Sequence, residues 1–325
     1  MSTEQLPLAD YQPRVCAYLD ILGFSDLVAR IPSEPERFTD LLGVLREFQT
    51  LSRNYGDGGY YGREVTAFSD SVVVSCPVHK ENAAKVLCQD VVWLIRSLLK
   101  RGIIVRGGVA VGRMYHHQNV VLGEAMIEAH RLEQTVAIYP RVVVQDAVNY
   151  AERLWFPSEP PHCFTSHARP SIAVDHDGIS FLDAFSVEFH MAPFLDSSTD
   201  FFSQTRVHLV RLRDEARDAR VPGPLVKVNW LVNQFNKALA SVKETQRPLK
   251  EKSLSLDILH PAAREDFSQL DPIESNGWPR LPLSRAVERS RLSFVGPEHP
   301  KSDDECRKDY FESALKLAGA KLTGD

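Results

Sequence analysis

The sequence predicts an α+β fold, with helices packed on one face of a mostly antiparallel sheet. Three observations carry this. Short apolar runs such as "RVCAYL" (14–19) and "RVVV" (141–144) have the length and composition of buried strands. Longer segments between them repeat apolar residues at helical spacing. And two strand-like runs, "REVTAF" and "SVVVSC", are separated only by Ser69-Asp70, which makes them a hairpin.

Taken in order, the first strand (14–19) is followed by a helix in which Phe38, Leu41, Leu42, Leu45, Phe48 and Leu51 form one stripe. The glycines of "NYGDGGYYG" (54–62) mark a turn. After the hairpin comes a helix over 81–100, with Leu87, Val91, Leu94 and Leu98 on one face. "IIVRGGVAVGRMYH" (103–116) supplies one or two strands, 123–135 a helix, 141–144 a strand and 145–154 a last helix of this half. The core order β-α-β-β-α-β is the ferredoxin-like pattern. We place one domain at 1–155. Proline-rich "FPSEPPHCF" opens a second stretch, 156–245, a mixed C-terminal extension. It has short strands around 171–175 and 178–190, a charged helix surface at 211–220 and an amphipathic helix at 226–242. Residues 246–325 read as an irregular tail with a short helix near 305–320.

The chain has 325 residues, 43% hydrophobic and 25% charged, an ordinary globular composition for one large domain or two ordinary ones. A net charge of −5 argues against a protein that coats nucleic acid, but leaves room for a local basic pocket. No stretch approaches the ~18 apolar residues of a membrane span, and "MSTEQLPLADYQ" lacks the regions of a signal peptide. The five cysteines are scattered, with no C-x-x-C pair, so neither zinc nor a disulfide framework is suggested. A reducing, cytoplasmic location is the simplest expectation.

"AYLDILGF" (17–24) and "AFSDSVVVS" (67–75) each set one aspartate among apolar, strand-like neighbours. Asp20 ends the first strand and Asp70 sits at the hairpin tip, and a ferredoxin-like sheet makes those elements neighbours. A bare carboxylate pair repels, and one member resists ionising. Divalent cations remove the conflict: two ions about 3.5–4 Å apart can clamp the attacking and leaving oxygens of an in-line displacement. Hard oxygen ligands point to Mg²⁺ or Mn²⁺.

These residues resemble the class III nucleotidyl cyclases. "YLDILGFSDLV" is similar to their first metal strand, "FSDSVVVS" to their second metal hairpin, "IVRGGVAVG" to the strand that follows, and "LGEAMIEAHRLE" (122–133) to the helix carrying Asn-x-x-x-Arg. The resemblance covers roughly residues 14–145. It implies that Asp20 and Asp70 are metal ligands, with the Ile21 carbonyl as a third. It further implies that the backbone of Leu22, Gly23, Phe24 and Ser25 cradles the triphosphate, and that Arg131 steadies the transition state. The family's asparagine falls on Ile127 and is missing. Its purine-reading positions fall near Thr66 and Val120, so the purine apparatus is absent.

A branch that lacks that apparatus, the bacterial antiphage pyrimidine cyclases of the Pycsar type, resembles this chain in "YLDILGF", "FSDS" and a C-terminal helix like "KVNWLVNQFN" (227–236). That likeness implies a uridylate cyclase that uses Mn²⁺, two ions per site, to turn UTP into cyclic UMP. Cytidylate cyclase activity is the alternative. It implies a homodimer whose shared sites take aspartates from one subunit and Arg131 from the other, and a separate effector that the product activates. For the base we consider Tyr60 or Tyr61 as a stacking ring, Arg63 as a donor to a uracil carbonyl, Glu64 as an acceptor, and Thr66; ordinary turn and strand-end roles stand beside these.

Other readings stay open. The missing asparagine could mark a catalytically decayed module that binds a nucleotide or a partner. Arg131 could be a helix-surface residue paired with Glu128 or Glu133. His116 and His117 read as exposed strand-end histidines, and "DHDG" (175–178) as a hairpin turn rather than a carboxylate pair. "GDGG" (56–59) lacks the rest of a phosphate loop. Lys227 is either a phosphate contact or a solvated lysine.

Overall fold

The computed structural model describes residues 10–53, 62–79, 83–117, 120–148, 172–186, 198–219, 222–251 and 267–274. At its centre is β1 (Gln12–Ile21), antiparallel to both β3 (Ser71–Pro77) and β4 (Val105–His117). β2 (Glu64–Phe68) pairs with β3 across the Ser69-Asp70 bend, and β5 (Val120–Gly123) folds back on β4. β6 (Val142–Val144) runs parallel to β4, and β8 (Ser180–Leu182) and β7 (Ile172–Val174) continue the sheet antiparallel. The order is β2-β3-β1-β4-β6-β8-β7, an open, mostly antiparallel sheet. Its first four strands, with α2 (Pro35–Arg53) and α3 (Ala83–Leu99), reproduce the expected ferredoxin-like order.

Helices cover both faces of this sheet, not one. Val15, Ala17, Leu19 and Ile21 of β1 pack with Leu41 of α2, Leu87, Val91 and Leu94 of α3, and residues of α5 (Ser198–Asp218) and α6 (Pro222–Glu251). Cys16 and Tyr18 point the other way, onto Ala125, Ala129 and Leu132 of α4 (Glu124–Thr135). The reason lies in β1 and β3. Residues 14–19 and the whole of β3 are buried, a continuous run rather than an alternation, as expected of strands covered on both sides. α4 lies close because β4 is glycine-rich: a Cβ added at Gly108 would sit 2.3 Å from the Ala129 carbonyl oxygen.

The second half of the chain shares this core. Phe201, Phe202, Phe235 and Phe267 are fully buried, and Phe202 lies 5.2 Å from Phe235 and 5.6 Å from Phe267, ring to ring. Burying each such ring contributes about 1.5–3 kcal/mol. α6 runs well past the 226–242 expected, and β5 was not expected at all. The helix expected at 145–154 is described only as far as Val148. Tyr60, Tyr61, the 54–61 turn, the 149–171 break and the helix near 305–320 lie outside the described residues. Among the described residues no helix is long and apolar enough to cross a membrane.

Candidate active site

Asp20 stands opposite Ser71 of β3 and Arg106 of β4. Strand alternation turns its carboxylate to the α4 side, with Cys16 and Tyr18. The Ile21 amide donates to the Asp70 carbonyl at 2.8 Å, so the hairpin tip sits beside the end of β1. Ser69, at φ +52°, makes that bend tight. Two aspartates far apart in sequence are thus delivered to one end of the sheet.

Three further charged groups meet them. Arg106 Nε lies 3.4 Å from Asp20 Oδ2 and 2.5 Å from Glu133 Oε1 of α4. Glu133 is 2% exposed and faces the sheet. Lys227, half-buried on α6, feels Arg106, Asp20 and Glu133 electrostatically. The effects on ionisation follow. Burial pushes the Asp20 carboxyl up, Arg106 opposes this and the charge of Asp70 adds to it. Burial likewise raises Glu133, against Arg106 and with help from Asp20 and Asp70. Burial pushes the Lys227 ammonium down, aided by Arg106 and opposed by the two acids. Three acids and two cations therefore share a partly dehydrated corner. Sequence reasoning missed Arg106 and Glu133. Arg106 breaks an apolar strand run, and Glu133 continues the buried stripe Ala125, Ala129; each is a readable anomaly.

Gly23, at φ +73°, turns the chain from β1 into α1 (Phe24–Arg30) and caps it without a side-chain hydrogen bond. Helix geometry leaves the Phe24 and Ser25 amides without carbonyls one turn back. Leu22 differs from expectation: its amide donates to the Ile104 carbonyl at 2.8 Å and is no free phosphate donor.

Arg131 grips Glu128, with Nε and Nη2 each 2.7 Å from a carboxylate oxygen, on the outward side of α4. The fold does not turn it to the aspartates of its own chain. Arg63 is a correction. Its guanidinium is buried and pairs with Asp90 of α3, on the opposite face from Asp20. It stands three residues from Thr66, an odd number, so alternation sends the two to opposite sides. Thr66 does lie on the Asp20 face, but buried, its Oγ1 3.0 Å from His116 Nε2. Tyr61 lies outside the described residues.

His116 is not exposed as expected. It is 4% accessible, and its Nδ1 lies 2.8 Å from Ser75 Oγ, which accepts from Arg14 Nε at 2.8 Å. Asp175 and Asp177 form the expected hairpin turn and hold buried Arg141; Asp175 also accepts from Trp230 Nε1 of α6 at 2.8 Å.

The donor set at Asp20, Asp70 and the Ile21 carbonyl suits a hard divalent cation. Burial above all, and the nearby charge of Asp70 after it, disfavour the ionised Asp20 carboxylate, and a bound cation would offset both. Among the described residues no three His, Cys, Asp or Glu side chains converge as a metal cage. A Mg²⁺-type ion would need only one or two carboxylates, sharing the rest of its shell with substrate phosphates and water.

No protein-family model matches this chain, and no curated protein matches it. Among solved structures, two of a bacterial light-regulated adenylyl cyclase superpose with TM-score 0.31 at 17% identity, over 61% and 60% of this chain and 55% and 56% of theirs. A class III adenylyl cyclase-like ATP-binding protein from Pseudomonas aeruginosa superposes with TM-score 0.28 at 17% identity, over 43% of this chain and 34% of its own. The chain thus spans about half the length, or less, of these structures.

Proposed function

We propose that the chain is a nucleotidyl cyclase that converts UTP to 3′,5′-cyclic UMP and diphosphate, a second-messenger signal in bacterial antiphage defence read by a separate effector. CTP is the alternative substrate. The observation that carries the reading is the meeting of Asp20 and Asp70 at the end of β1, beside the Gly23 turn.

Asp20, Asp70 and the Ile21 carbonyl are the residues that would hold Mn²⁺ or Mg²⁺, two ions per site. Such ions supply charge neutralisation for the triphosphate and a more acidic ribose hydroxyl. The Phe24 and Ser25 amides face the polyphosphate. Arg106 and Glu133 lock each other and limit how far Asp20 can turn. The ribose 3′-oxygen attacks the α-phosphorus in line, its proton passes to water, and the bond to diphosphate breaks. Arg131, from a second copy in a homodimer, meets charge on the non-bridging oxygens with a fork that stays protonated. Catalysis is then positioning plus electrostatics.

One observation favours a second reading, a decayed nucleotide-binding module: Arg106 already contacts Asp20 at 3.4 Å. A single assay separates the two. With Mn²⁺ and each of the four nucleoside triphosphates, the cyclase releases diphosphate and yields cyclic UMP from UTP. Asp70→Ala lowers that by at least about a hundredfold, since losing a ligand exceeds the effect of losing an outer-shell partner. Diphosphate from none of the four would leave the module.

A further inference from the structure

We propose that Tyr18 is a positioning residue for the Asp20–Asp70 site: its hydroxyl, acting through Ser71, holds the Asp70 carboxylate in place for the divalent cation. The inference rests on the metal reading above and adds to it. The hold on Asp70 then begins at α4, against which the Tyr18 ring rests.

Asp70 lies at the hairpin tip, next to the exposed Phe68 and Ser69. A side chain at such a tip is mobile unless something ties it. The backbone is tied by the Ile21 amide, which donates to the Asp70 carbonyl at 2.8 Å. The side chain is tied by Ser71, whose Oγ donates to Asp70 Oδ1 at 3.4 Å. An ionised carboxylate only accepts, so the one Ser71 hydroxyl proton is committed to it. The 2.7 Å bond between Tyr18 Oη and Ser71 Oγ therefore runs from the phenol to the serine. Accepting that bond polarises the serine hydroxyl and strengthens its donation to Asp70. The link is sealed from solvent: Ser71 is 3% exposed and Tyr18 8%. The Tyr18 ring is fixed in turn. It stands two residues before Asp20 on the same face of β1, opposite Gly108 of β4. It meets the His130 ring of α4 edge-on at 4.9 Å and packs with Ala129 and Leu132. The relay thus runs from α4 through Tyr18 and Ser71 to one oxygen of Asp70. Asp20 is held in the same manner, by Oδ2 to Arg106. Among the described residues neither Asp70 Oδ2 nor Asp20 Oδ1 has a hydrogen-bond partner. Each aspartate is tethered by one oxygen and keeps the other for a cation. Partners of this kind orient a metal ligand without touching the metal.

The test is Mn²⁺ binding to the full chain, with the free ion counted by electron paramagnetic resonance. Tyr18→Phe keeps the ring and removes the hydroxyl. It weakens Mn²⁺ binding about tenfold, the effect of losing an outer partner of a metal ligand. Ser71→Ala weakens it at least as much. The two changes together weaken it no further than Ser71→Ala alone, because both interrupt one chain. Cys16→Ala trims a buried neighbour of Tyr18 on the same face without touching the relay, and stays within about twofold of wild type. A Tyr18→Phe protein that binds Mn²⁺ as wild type does, while Asp70→Ala binds it poorly, overturns the proposal and leaves the metal reading standing. Losses that multiply in the double variant would make the two hydroxyls independent, and an equal loss in Cys16→Ala would make Tyr18 a packing residue; either overturns it. Wild-type protein that binds no Mn²⁺, or Asp70→Ala that binds it unchanged, sinks both.

Discussion

Strand β1 carries an ionisable residue near each end of its α4-facing row, and the fold treats them oppositely. Asp20 sits at the end where other charges gather. Arg14 is sealed in, its guanidinium donating to Ser75 Oγ and to the carbonyls of Gly62 and Ser75. Through Ser75 it meets His116, whose pKa burial drives down to about 3, with Arg14 and His117 adding to the shift. A histidine held neutral in this way couples folding to pH. The unfolded chain takes up a proton as pH falls below ~6.5, while the folded chain does so only near its depressed value. The contribution is complete above the unfolded pKa and is lost progressively as pH falls towards 3. Urea unfolding at a series of pH values between about 4 and 6 checks this. The wild type takes up about one proton more on unfolding than His116→Gln, so its midpoint falls more steeply. Equal slopes for the two proteins would mean that the buried ring is already charged in the fold.

At the scale of elements, the contact of α4 with the sheet sets where Glu133 stands and which way Arg131 points. It depends on glycine in β4. With Gly108→Ala the new methyl would meet the Ala129 carbonyl oxygen at 2.3 Å and Leu132 Cβ at 2.6 Å, both on a helix with little room to yield. Such overpacking destabilises by about 1–3 kcal/mol. A guanidinium or urea titration reads that loss, and an unchanged midpoint would show that α4 can move outward freely. The same contact explains what the sequence could and could not disclose. β1, the hairpin and α3 were legible because long apolar runs and the Ser-Asp bend act locally. β5 was not: it is four residues long, and Val120 and Leu122 are each about half exposed, so no burial pattern marks it. That α4 takes the second face was hidden too, because a run buried on both sides does not say which helix covers which. Of the site, Asp20 and Asp70 were readable as acids out of place. Arg63 misled because only strand parity, fixed by register with β3, tells which face it takes. The grouping of Arg106, Glu133 and Lys227 is purely tertiary.

For the whole molecule, the proposed cyclase chemistry calls on Arg131 although its own chain turns it outward onto Glu128. The surface around it is informative. Ile127, one turn before Arg131 on α4, is 69% exposed, and Leu122 on neighbouring β5 is 52% exposed. In the proposed homodimer this is the face that a second copy of the chain would cover. A twofold dimer would carry each Arg131 towards the other subunit's aspartates and make two equivalent sites. In that arrangement Asp70→Ala and Arg131→Ala are each inactive alone. Mixed in equal amounts and allowed to exchange subunits, they form heterodimers with one intact site of two, and roughly a quarter of wild-type diphosphate release returns. Ile127→Glu, which puts a charge in the apolar part of that face, shifts the protein to monomer in analytical ultracentrifugation and removes activity in parallel. If the mixture of the two inactive variants stays silent while heterodimers are present by mass spectrometry, the arginine does not act across the dimer, and the transition-state charge must be met by a cation from the same chain.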